Sequence, residues 1–274
     1  MSEPTEDGPL LTRRDPLEGG DEVAVTLVLN RPDQLNAIDW PMLDALDHAL
    51  DDVVDDRSVR GVLVTGAGRA FSAGGDLVGY QTLQRDRERF PRFVAELHRI
   101  FGRLRELPVP AVALVNGVTA AGGLELLLNC DFALAARSAR IGDAHLNFGQ
   151  MGGGGALTLL PRAVGRARAA ELVFSGRFLD ADEAVEWGLV NRVVDDDALL
   201  GAGAELLAGF ATKSPLAMAN AKDVMMSLWA DNGSVDLGLR YERERNAYYC
   251  LTSDDAVEGL AAFAEKRPPE FRGS

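Results

Sequence analysis

Cysteine and histidine are scarce in this 274-residue chain, which has two cysteines and three histidines. None of them has the spacing of a metal-binding cluster, so we predict no metal site. Cys130 and Cys250 stand far apart in apolar segments, which favours two buried free thiols over a disulfide. The chain also lacks an apolar run of membrane-spanning length and an opening signal segment, and we expect a cytoplasmic protein.

Positive charge is scarce as well. The chain has 28 lysines and arginines against 42 aspartates and glutamates, which gives a formal net charge of −14. Because such a surface repels phosphate groups, we expect neither nucleic acid nor an anionic membrane as a partner. Hydrophobic residues make up 47% of the chain, which is sufficient for a sizeable core.

The pattern of apolar residues divides the chain into three regions. Residues 1–20 are rich in proline, glycine and acid and show no periodicity, so we predict a mobile leader. Between residues 21 and 197, strand-like runs alternate with amphipathic helical runs and glycine turns, which predicts an α/β core. Residues 198–274 are predicted to be helical throughout.

Two glycine-rich loops indicate a binding site for an oxyanion. RAFSAGGDL (Arg69–Leu77) and VNGVTAAGGLELLLNCD (Val115–Asp131) each follow or continue an apolar run typical of a buried strand. A glycine without a Cβ lets backbone N–H groups approach a ligand closely. Two such groups that converge on one oxygen form an oxyanion hole. The second loop leads directly into Glu125, a carboxylate among leucines that is costly to bury without a function.

Other glycine and serine patterns do not match known catalytic motifs. Gly66 and Gly68 follow a strand, but Phe71 stands where a dinucleotide fingerprint has its third glycine. The glycines of Met151–Gly155 are not followed by the Lys-Ser/Thr of a phosphate loop. Ser72 is not in a G-x-S-x-G elbow. These patterns disfavour an oxidoreductase, a nucleotide hydrolase and a serine hydrolase.

Six segments in a fixed order resemble the crotonase superfamily, the enoyl-CoA hydratase/isomerase family, from about Val23 to Glu270. The resemblance implies a spiral of ββα repeats with a C-terminal helical region that forms trimers or dimers of trimers. It also implies a CoA thioester substrate, chemistry through a thioester enolate and no tightly bound cofactor, since coenzyme A is part of the substrate. The six segments are the two loops above, NRPDQLNAI (Asn30–Ile38), IGDAHLNFGQMGGGG (Ile141–Gly155), LPRAVG (Leu160–Gly165) and SDDAVEGLAAFAEKRP (Ser253–Pro268).

The resemblance also assigns residues to roles. The two oxyanion N–H groups fall on Gly75 and Gly122, and the first catalytic glutamate falls on Glu125. Trp40, Tyr80 and Phe90 are candidates for the acyl pocket, although aromatic residues at such spacing are more often core. The residues expected to contact substrate are Ala37, Trp40, Arg69, Ala73, Asp76, Leu77 and Gly153.

The second catalytic position departs from the pattern of the family. Hydratases of the family have a second glutamate there, and this chain has His145. A neutral imidazole accepts a proton from water at neutral pH, as a carboxylate does. Asp143 orients His145 only if the backbone between them is regular. Family members that hydrolyse carbon–carbon bonds of β-diketones or cyclic β-keto thioesters use a histidine near this place.

Two further departures concern substrate binding. Gly152-Gly153 replaces the usual proline before a glycine, and Asp33 and Val78 stand where the family often has lysines for CoA. A substrate that is bound to a carrier protein, or one that is free, is therefore an alternative to a CoA thioester.

We predict first an enoyl-CoA hydratase in which Glu125 and His145 are the catalytic acid and base. The alternatives are a carbon–carbon bond hydrolase that uses His145, an enoyl-CoA isomerase that needs one carboxylate, and a non-catalytic acyl-CoA-binding scaffold. The presence of Glu125 and of both oxyanion glycines argues against the scaffold.

Overall fold

The computed structural model describes residues 8–17, 21–231 and 234–274. Within these ranges the strands form two sheets, with strand orders β1-β2-β3-β5-β7-β10 and β4-β6-β8-β9. The strands are β1 (Leu10–Pro16), β2 (Val23–Leu29), β3 (Val59–Gly66), β4 (Ala70–Ser72), β5 (Ala111–Val115), β6 (Val118–Ala120), β7 (Phe132–Ala136), β8 (Arg140–Gly142), β9 (Leu179–Asp180) and β10 (Arg192–Val194).

The two sheets are built from a repeated unit. The strands β3, β5 and β7 of the larger sheet are each followed at once by β4, β6 and β8 of the smaller sheet, and a helix comes next along the chain. The pairs β3–β5 and β5–β7, and likewise β4–β6 and β6–β8, are parallel. This is the predicted spiral of ββα repeats. It places the loops after β4 and β6 side by side.

The helices fill the faces of the sheets and form the C-terminal region. In α1, the buried residues Met42, Leu46, Leu50 and Val53 recur at helical spacing and pack into the main core. The helices are α1 (Trp40–Asp55), α2 (Leu77–Leu83), α3 (Arg89–Glu106), α4 (Gly122–Leu128), α5 (Ala156–Val164), α6 (Arg166–Ser175), α7 (Ala181–Glu186), α8 (Leu199–Ala211), α9 (Pro215–Asp231), α10 (Val235–Thr252) and α11 (Asp254–Glu265).

Part of the predicted mobile leader is ordered. Strand β1 pairs antiparallel with β2, from Leu10 opposite Leu29 to Pro16 opposite Val23. The prediction is therefore wrong for Leu10–Pro16, because backbone pairing to the edge of a sheet needs no apolar periodicity. Residues 1–7 and 18–20 of the predicted leader lie outside the described residues.

The predicted boundary at residue 197 also needs correction. Helix α8 begins two residues later and packs on the larger sheet, with Leu207 and Gly203 buried against it. A Cβ added to Gly203 would lie 2.7 Å from Leu114 Cδ1 of β5, which shows how closely the helix approaches the sheet. Helix α8 is therefore part of the α/β core, and the helices that leave the core begin with α9.

Helix α9 is attached to the core through a buried cation. The ammonium group of Lys222 pairs with Asp131 at 2.8 Å and donates to the carbonyls of Leu104 and Val109, both at 2.9 Å. Burial lowers the pKa of Lys222, and the charge of Asp131 opposes that effect. Because the cation has three acceptors, its burial is compensated.

The remaining expectations concern membranes, metals and thiols. Among the described residues, no helix combines the length and the hydrophobicity needed to cross a lipid bilayer. The same residues contain no group of three or more histidine, cysteine and acidic side chains arranged to hold a metal ion. Cys130 is buried as predicted, but Cys250 is exposed on α10, so the expectation of two buried thiols is wrong for Cys250.

Candidate active site

The two glycine loops meet because β4 and β6 are neighbours in the smaller sheet. A Cβ added to Gly122 would lie 3.3 Å from Gly74 Cα and 3.5 Å from the amide nitrogen of Gly75. Neither the Gly75 nor the Gly122 N–H has an acceptor in the described part of the chain. Two adjacent backbone donors are thus available to a ligand, and the second one begins helix α4.

The second loop holds a strained residue. Ala121, which precedes α4, has φ 49° and ψ −117°, a conformation that costs a residue with a side chain about 1–3 kcal/mol. Its N–H donates to the carbonyl of Asp143 at 2.8 Å. Asp143 therefore helps to hold the turn that presents the Gly122 amide.

Glu125 lies in the first turn of α4 and is buried with 2% exposure. Its Oε1 accepts hydrogen bonds from the amides of Gly154 at 2.7 Å and Ala156 at 3.2 Å. Burial raises the pKa of Glu125, while the nearby His145 and the two amides oppose that effect and Asp143 adds to it. The net increase brings the carboxyl group toward the range that is useful for proton transfer near neutral pH.

His145 faces the same pocket and is paired with a buried acid. Its Nδ1 lies 3.0 Å from Oδ1 of Asp143, which is 1% exposed. With Nδ1 bonded to a carboxylate, the imidazole presents its Nε2 as the free nitrogen. Burial lowers the pKa of His145, but the hydrogen bond to Asp143 and the charges of Glu125 and Asp143 outweigh it, so the pKa is raised.

The backbone between Asp143 and His145 is a tight turn, not a regular extended segment. Ala144 has φ 54°, in the left-handed region, and a short 3-10 helix, His145–Phe148, begins directly after it. In a regular strand these two residues would also lie on one face, but here the turn at Ala144 brings their side chains together. Within the described residues, the other oxygen of Asp143, Oδ2, is buried without a hydrogen-bond partner.

The four-glycine run Gly152–Gly155 passes between the two ionisable groups. A Cβ added to Gly152 would lie 3.0 Å from Glu125 Oε1 and 3.4 Å from His145 Cε1. A Cβ added to Gly154 would lie 2.7 Å from Glu125 Oε2. The run therefore needs glycine to let its backbone reach the carboxylate. Sequence reasoning singled out Gly153 and missed the amide of Gly154, which donates to Glu125 together with the amide of Ala156.

A cavity of about 90 Å³ joins these groups. It is lined by nine of the residues that the sequence singles out, namely Ala73, Gly75, Leu77, Tyr80, Phe90, Gly122, Glu125, His145 and Gly153. Its remaining wall includes Val94 and Leu97 of α3, at helical spacing from Phe90. Val94 and Leu97 were missed, although their spacing from Phe90 indicates a shared helix face.

Trp40 is not part of this pocket. Its ring packs edge-to-face on Phe93, with centroids 5.2 Å apart, and it lines a separate cavity of about 200 Å³ on the other side of Tyr80. Contact between Trp40 and the acyl group therefore stays a prediction. The separate cavity also includes Asp76 of the first glycine loop, so Trp40 lies near that loop.

Three other predicted contacts lie outside the pocket. The carboxylate of Asp76 caps α2 by accepting from Val78 and Gly79, and it pairs with Arg31 at 3.2 Å. Arg31 also donates to the carbonyl of Ala37 at 2.7 Å. The side chain of Arg69 is exposed and does not line the pocket. Substrate contacts by Ala37, Asp76 and Arg69 stay predictions.

Comparison with known proteins identifies close relatives. A family model described as enoyl-CoA hydratase/isomerase matches residues 20–274. A probable enoyl-CoA hydratase of Mycobacterium tuberculosis is 34% identical over 245 residues, which cover 89% of this chain and 93% of that protein. The 1,2-epoxyphenylacetyl-CoA isomerase of Escherichia coli is 38% identical over 263 residues, with 91% and 95% covered.

Solved structures agree with the sequence matches. The crystal structure of an enoyl-CoA hydratase from Mycobacterium smegmatis superposes with a TM-score of 0.89 at 33% identity, and it covers 97% of this chain and 99% of that one. An enoyl-CoA hydratase from Bacillus anthracis gives a TM-score of 0.88 at 32% identity, with 96% and 99% covered. The similarity thus includes the α/β core and the C-terminal helices.

Proposed function

Because the chain belongs to the enoyl-CoA hydratase/isomerase family, we propose that it adds water to the double bond of an α,β-unsaturated acyl-CoA thioester. One observation carries this proposal. Two backbone N–H groups without acceptors in the described chain, those of Gly75 and Gly122, lie in one pocket with buried Glu125 and with His145. This arrangement fits a reaction that develops charge on a carbonyl oxygen and moves protons beside it.

The thioester oxygen binds between the two amides. As water adds to the β-carbon, electrons move onto this oxygen and form an enolate, and both N–H groups donate to it more strongly than to the carbonyl of the substrate. The N-terminal end of α4 contributes a partial positive charge at the same point. Loss of one such donor costs about 2.7–4 kcal/mol of transition-state stabilisation.

His145 and Glu125 move the protons. Nε2 of neutral His145 takes a proton from water while the water oxygen bonds to the β-carbon. Glu125, protonated at the start, gives its proton to the α-carbon as the enolate collapses, and the proton on His145 then returns to Glu125 or to solvent. Asp143 keeps the proton of the neutral imidazole on Nδ1 through the 3.0 Å contact, so that Nε2 has its lone pair directed to the pocket.

An isomerase is the second candidate, and the E. coli relative, an isomerase at 38% identity, favours it. A shift of a double bond requires one group that takes a proton from one carbon and returns it to another, and Glu125 alone suffices for this. The hydrogen-bonded Asp143–His145 pair also suits a third reaction, hydrolysis of a carbon–carbon bond in a β-keto substrate, because it resembles the base that activates a nucleophilic water.

Mass spectrometry of reaction mixtures separates these functions. The chain is incubated with crotonyl-CoA, 3-hexenoyl-CoA, acetoacetyl-CoA and a cyclic β-diketone. We expect crotonyl-CoA to gain the mass of one water. A double-bond shift without hydration would favour the isomerase. Cleavage of acetoacetyl-CoA or of the diketone would favour the hydrolase. Binding without any conversion would leave only the non-catalytic scaffold. The double variant Glu125→Gln, His145→Ala is the control for contaminating activity.

The cellular setting is part of the same proposal. We infer a homotrimer or a dimer of trimers in the cytoplasm, with CoA and not a carrier protein as the acyl carrier. Exposed apolar residues on α10 and α11, among them Leu251 and Phe263, support the oligomer. Relatives of bacterial origin that are named for CoA thioesters support the carrier.

A further inference from the structure

Tyr80 faces the pocket but takes no part in the proposed proton transfers. Its ring makes edge-to-face contacts with Phe90 and Phe93 of α3, with centroids 5.8 Å and 5.6 Å apart. Its own backbone is held in α2, where its N–H donates to the carbonyl of Asp76 at 2.8 Å. Because two helices hold the ring, the position of its hydroxyl group is fixed.

The hydroxyl group lies beside the first oxyanion glycine. A Cβ added to Gly75 would lie 2.6 Å from Tyr80 Cζ and 2.7 Å from the hydroxyl oxygen. The phenol thus occupies the space that a side chain at position 75 would need, and both residues line the pocket with Glu125. Gly75 serves two purposes here, since it presents an amide and leaves room for the head of Tyr80.

The hydroxyl of Tyr80 has no hydrogen-bond partner in the described part of the chain. Tyrosine hydroxyl groups inside proteins usually have one. The other three polar side chains of the lining are each bonded to protein: Glu125 to the Gly154 and Ala156 amides, His145 to Asp143, and Gln150 to Gln84. Around Tyr80 the lining is apolar, with Leu77, Phe90 and Val94. A ligand that fills the pocket and displaces solvent from it would therefore have to supply the partner of the hydroxyl.

The hydroxyl acts as a donor. Burial, together with the negative charges of Glu125 and Asp76, raises the pKa of Tyr80 to about 12, so the phenol keeps its proton at neutral pH. The proposed reaction occupies Glu125 and His145 with the α- and β-carbons. In the proposed reaction the thioester oxygen is bound by the amides of Gly75 and Gly122. We therefore assign the oxygen that binds Tyr80 to a part of the acyl group beyond the β-carbon.

We propose that Tyr80 donates a hydrogen bond to an oxygen attached beyond the β-carbon of the acyl group, so that the enzyme prefers oxygen-bearing acyl-CoA thioesters to hydrocarbon ones. This inference rests on the proposed function, since it requires an acyl-CoA in the pocket. A hydrocarbon acyl group would bury the hydroxyl without a partner, and sites built to bond a substrate oxygen discriminate against analogues that lack it.

The test is a titration with saturated thioesters that cannot react. Butyryl-CoA is paired with 4-hydroxybutyryl-CoA, and pentanoyl-CoA with 5-hydroxypentanoyl-CoA, in isothermal titration of the wild-type chain and of Tyr80→Phe. Phenylalanine keeps the ring contacts with α3, so the variant retains its packing. We expect the wild type to bind at least one hydroxylated thioester about ten-fold more tightly than its partner, and Tyr80→Phe to lose that preference.

Each other outcome has a defined meaning. Equal affinities within both pairs in the wild type would overturn the inference alone. So would an equal loss of affinity for all four thioesters in Tyr80→Phe, which would place the hydroxyl on the thioester oxygen that they share. If none of the four thioesters binds, both the proposed function and this inference are overturned. Tyr248→Phe, an exposed tyrosine of α10, is the matched control and should leave all affinities unchanged.

Discussion

Single residues determine the chemistry through their effect on charge. Glu125 is buried almost completely and has two backbone donors on one oxygen, so its other oxygen is the one available to a substrate. The side chain of His145 is 13% exposed, and its Nδ1 is hydrogen-bonded to Oδ1 of Asp143. The pKa values of Glu125 and His145 are both raised, that of Glu125 by burial and that of His145, in spite of burial, by the hydrogen bond to Asp143 and the nearby negative charges.

Replacing Glu125 with glutamine tests the first of these groups. Glutamine has nearly the same shape and can still accept from the amides of Gly154 and Ala156 through its carbonyl oxygen, but it cannot exchange a proton. We expect kcat for crotonyl-CoA hydration to fall by about 10² or more, with little change in the melting temperature. Turnover of the variant close to that of the wild type would refute the role of Glu125.

Asp143→Asn tests the coupling between Asp143 and His145. His145 accepts a proton only when neutral, and its pKa is raised above 6.5, so kcat/KM should fall as pH decreases through a value above 6.5. Asparagine still accepts from Nδ1 but lacks the charge that favours the imidazolium. The acidic limb of the profile should therefore move to lower pH, while Glu125, the other charged group facing His145, is retained.

The control for this profile is Asp182→Asn. Asp182 is an exposed acid in the first turn of α7, and its loss changes the net charge by the same amount. Its profile should coincide with that of the wild type. An acidic limb that stays in place in Asp143→Asn, or that moves equally in the control, would contradict a positioning role for Asp143.

At the scale of elements, the site depends on loops that approach each other more closely than side chains allow. The loops after β4 and β6 meet because their strands are adjacent, and the run Gly152–Gly155 lies over Glu125 from the other side. Each approach uses glycine where a Cβ would touch a catalytic atom or the facing backbone. The packing of these loops therefore determines the distances between the backbone amides and Glu125, and no single residue does so alone.

Gly154→Ala tests this closeness. The new methyl group would lie 2.7 Å from Glu125 Oε2 and would also press on Leu97, so the carboxylate has to shift. We expect a loss of about 10² in kcat, since a displacement of about 1 Å has that effect, and a destabilisation of about 1–3 kcal/mol from overpacking. Steady-state kinetics and thermal unfolding measure the two effects.

The matched control is Gly201→Ala in α8. A Cβ there would meet no atom within 4 Å, and alanine favours a helix over glycine by about 0.5–1 kcal/mol. This variant should keep its kcat and unfold at the same or a higher temperature. If Gly154→Ala behaved like Gly201→Ala, the backbone of the glycine run would not be required where the structure places it.

The sequence predicted the elements whose signal is local. Glycine pairs after strands and the apolar face of α1 can be read from a dozen residues, and the order of motifs supplied the spiral fold. Contacts between segments that are distant in the sequence were not predicted. The amide of Gly154 on Glu125, the wall formed by Val94 and Leu97, and the edge strand Leu10–Pro16 all depend on which segments meet in space. The placement of Trp40 beside a separate cavity depends on tertiary contacts as well.

At the scale of the whole molecule, the C-terminal helices carry apolar side chains that the described part of the chain does not cover. On α11, Val257, Leu260 and Phe263 are 65%, 75% and 85% exposed and recur every three residues. On α10, Leu251 is 85% exposed. Single exposed apolar residues are common, but a helix face of this kind marks a contact surface.

Changing this face should therefore change the mass of the particle in solution. We expect the wild type to be a multiple of the 29.4 kDa chain by light scattering, in agreement with the trimer that the family resemblance implies. Leu260→Glu with Phe263→Glu puts two charges into that contact, and burying unpaired charge is costly, so the double variant should give a mass near 29.4 kDa. Val54→Glu, at an exposed apolar position of α1, should keep the mass of the wild type. An oligomer that survives the double substitution would mean that another surface holds the subunits together.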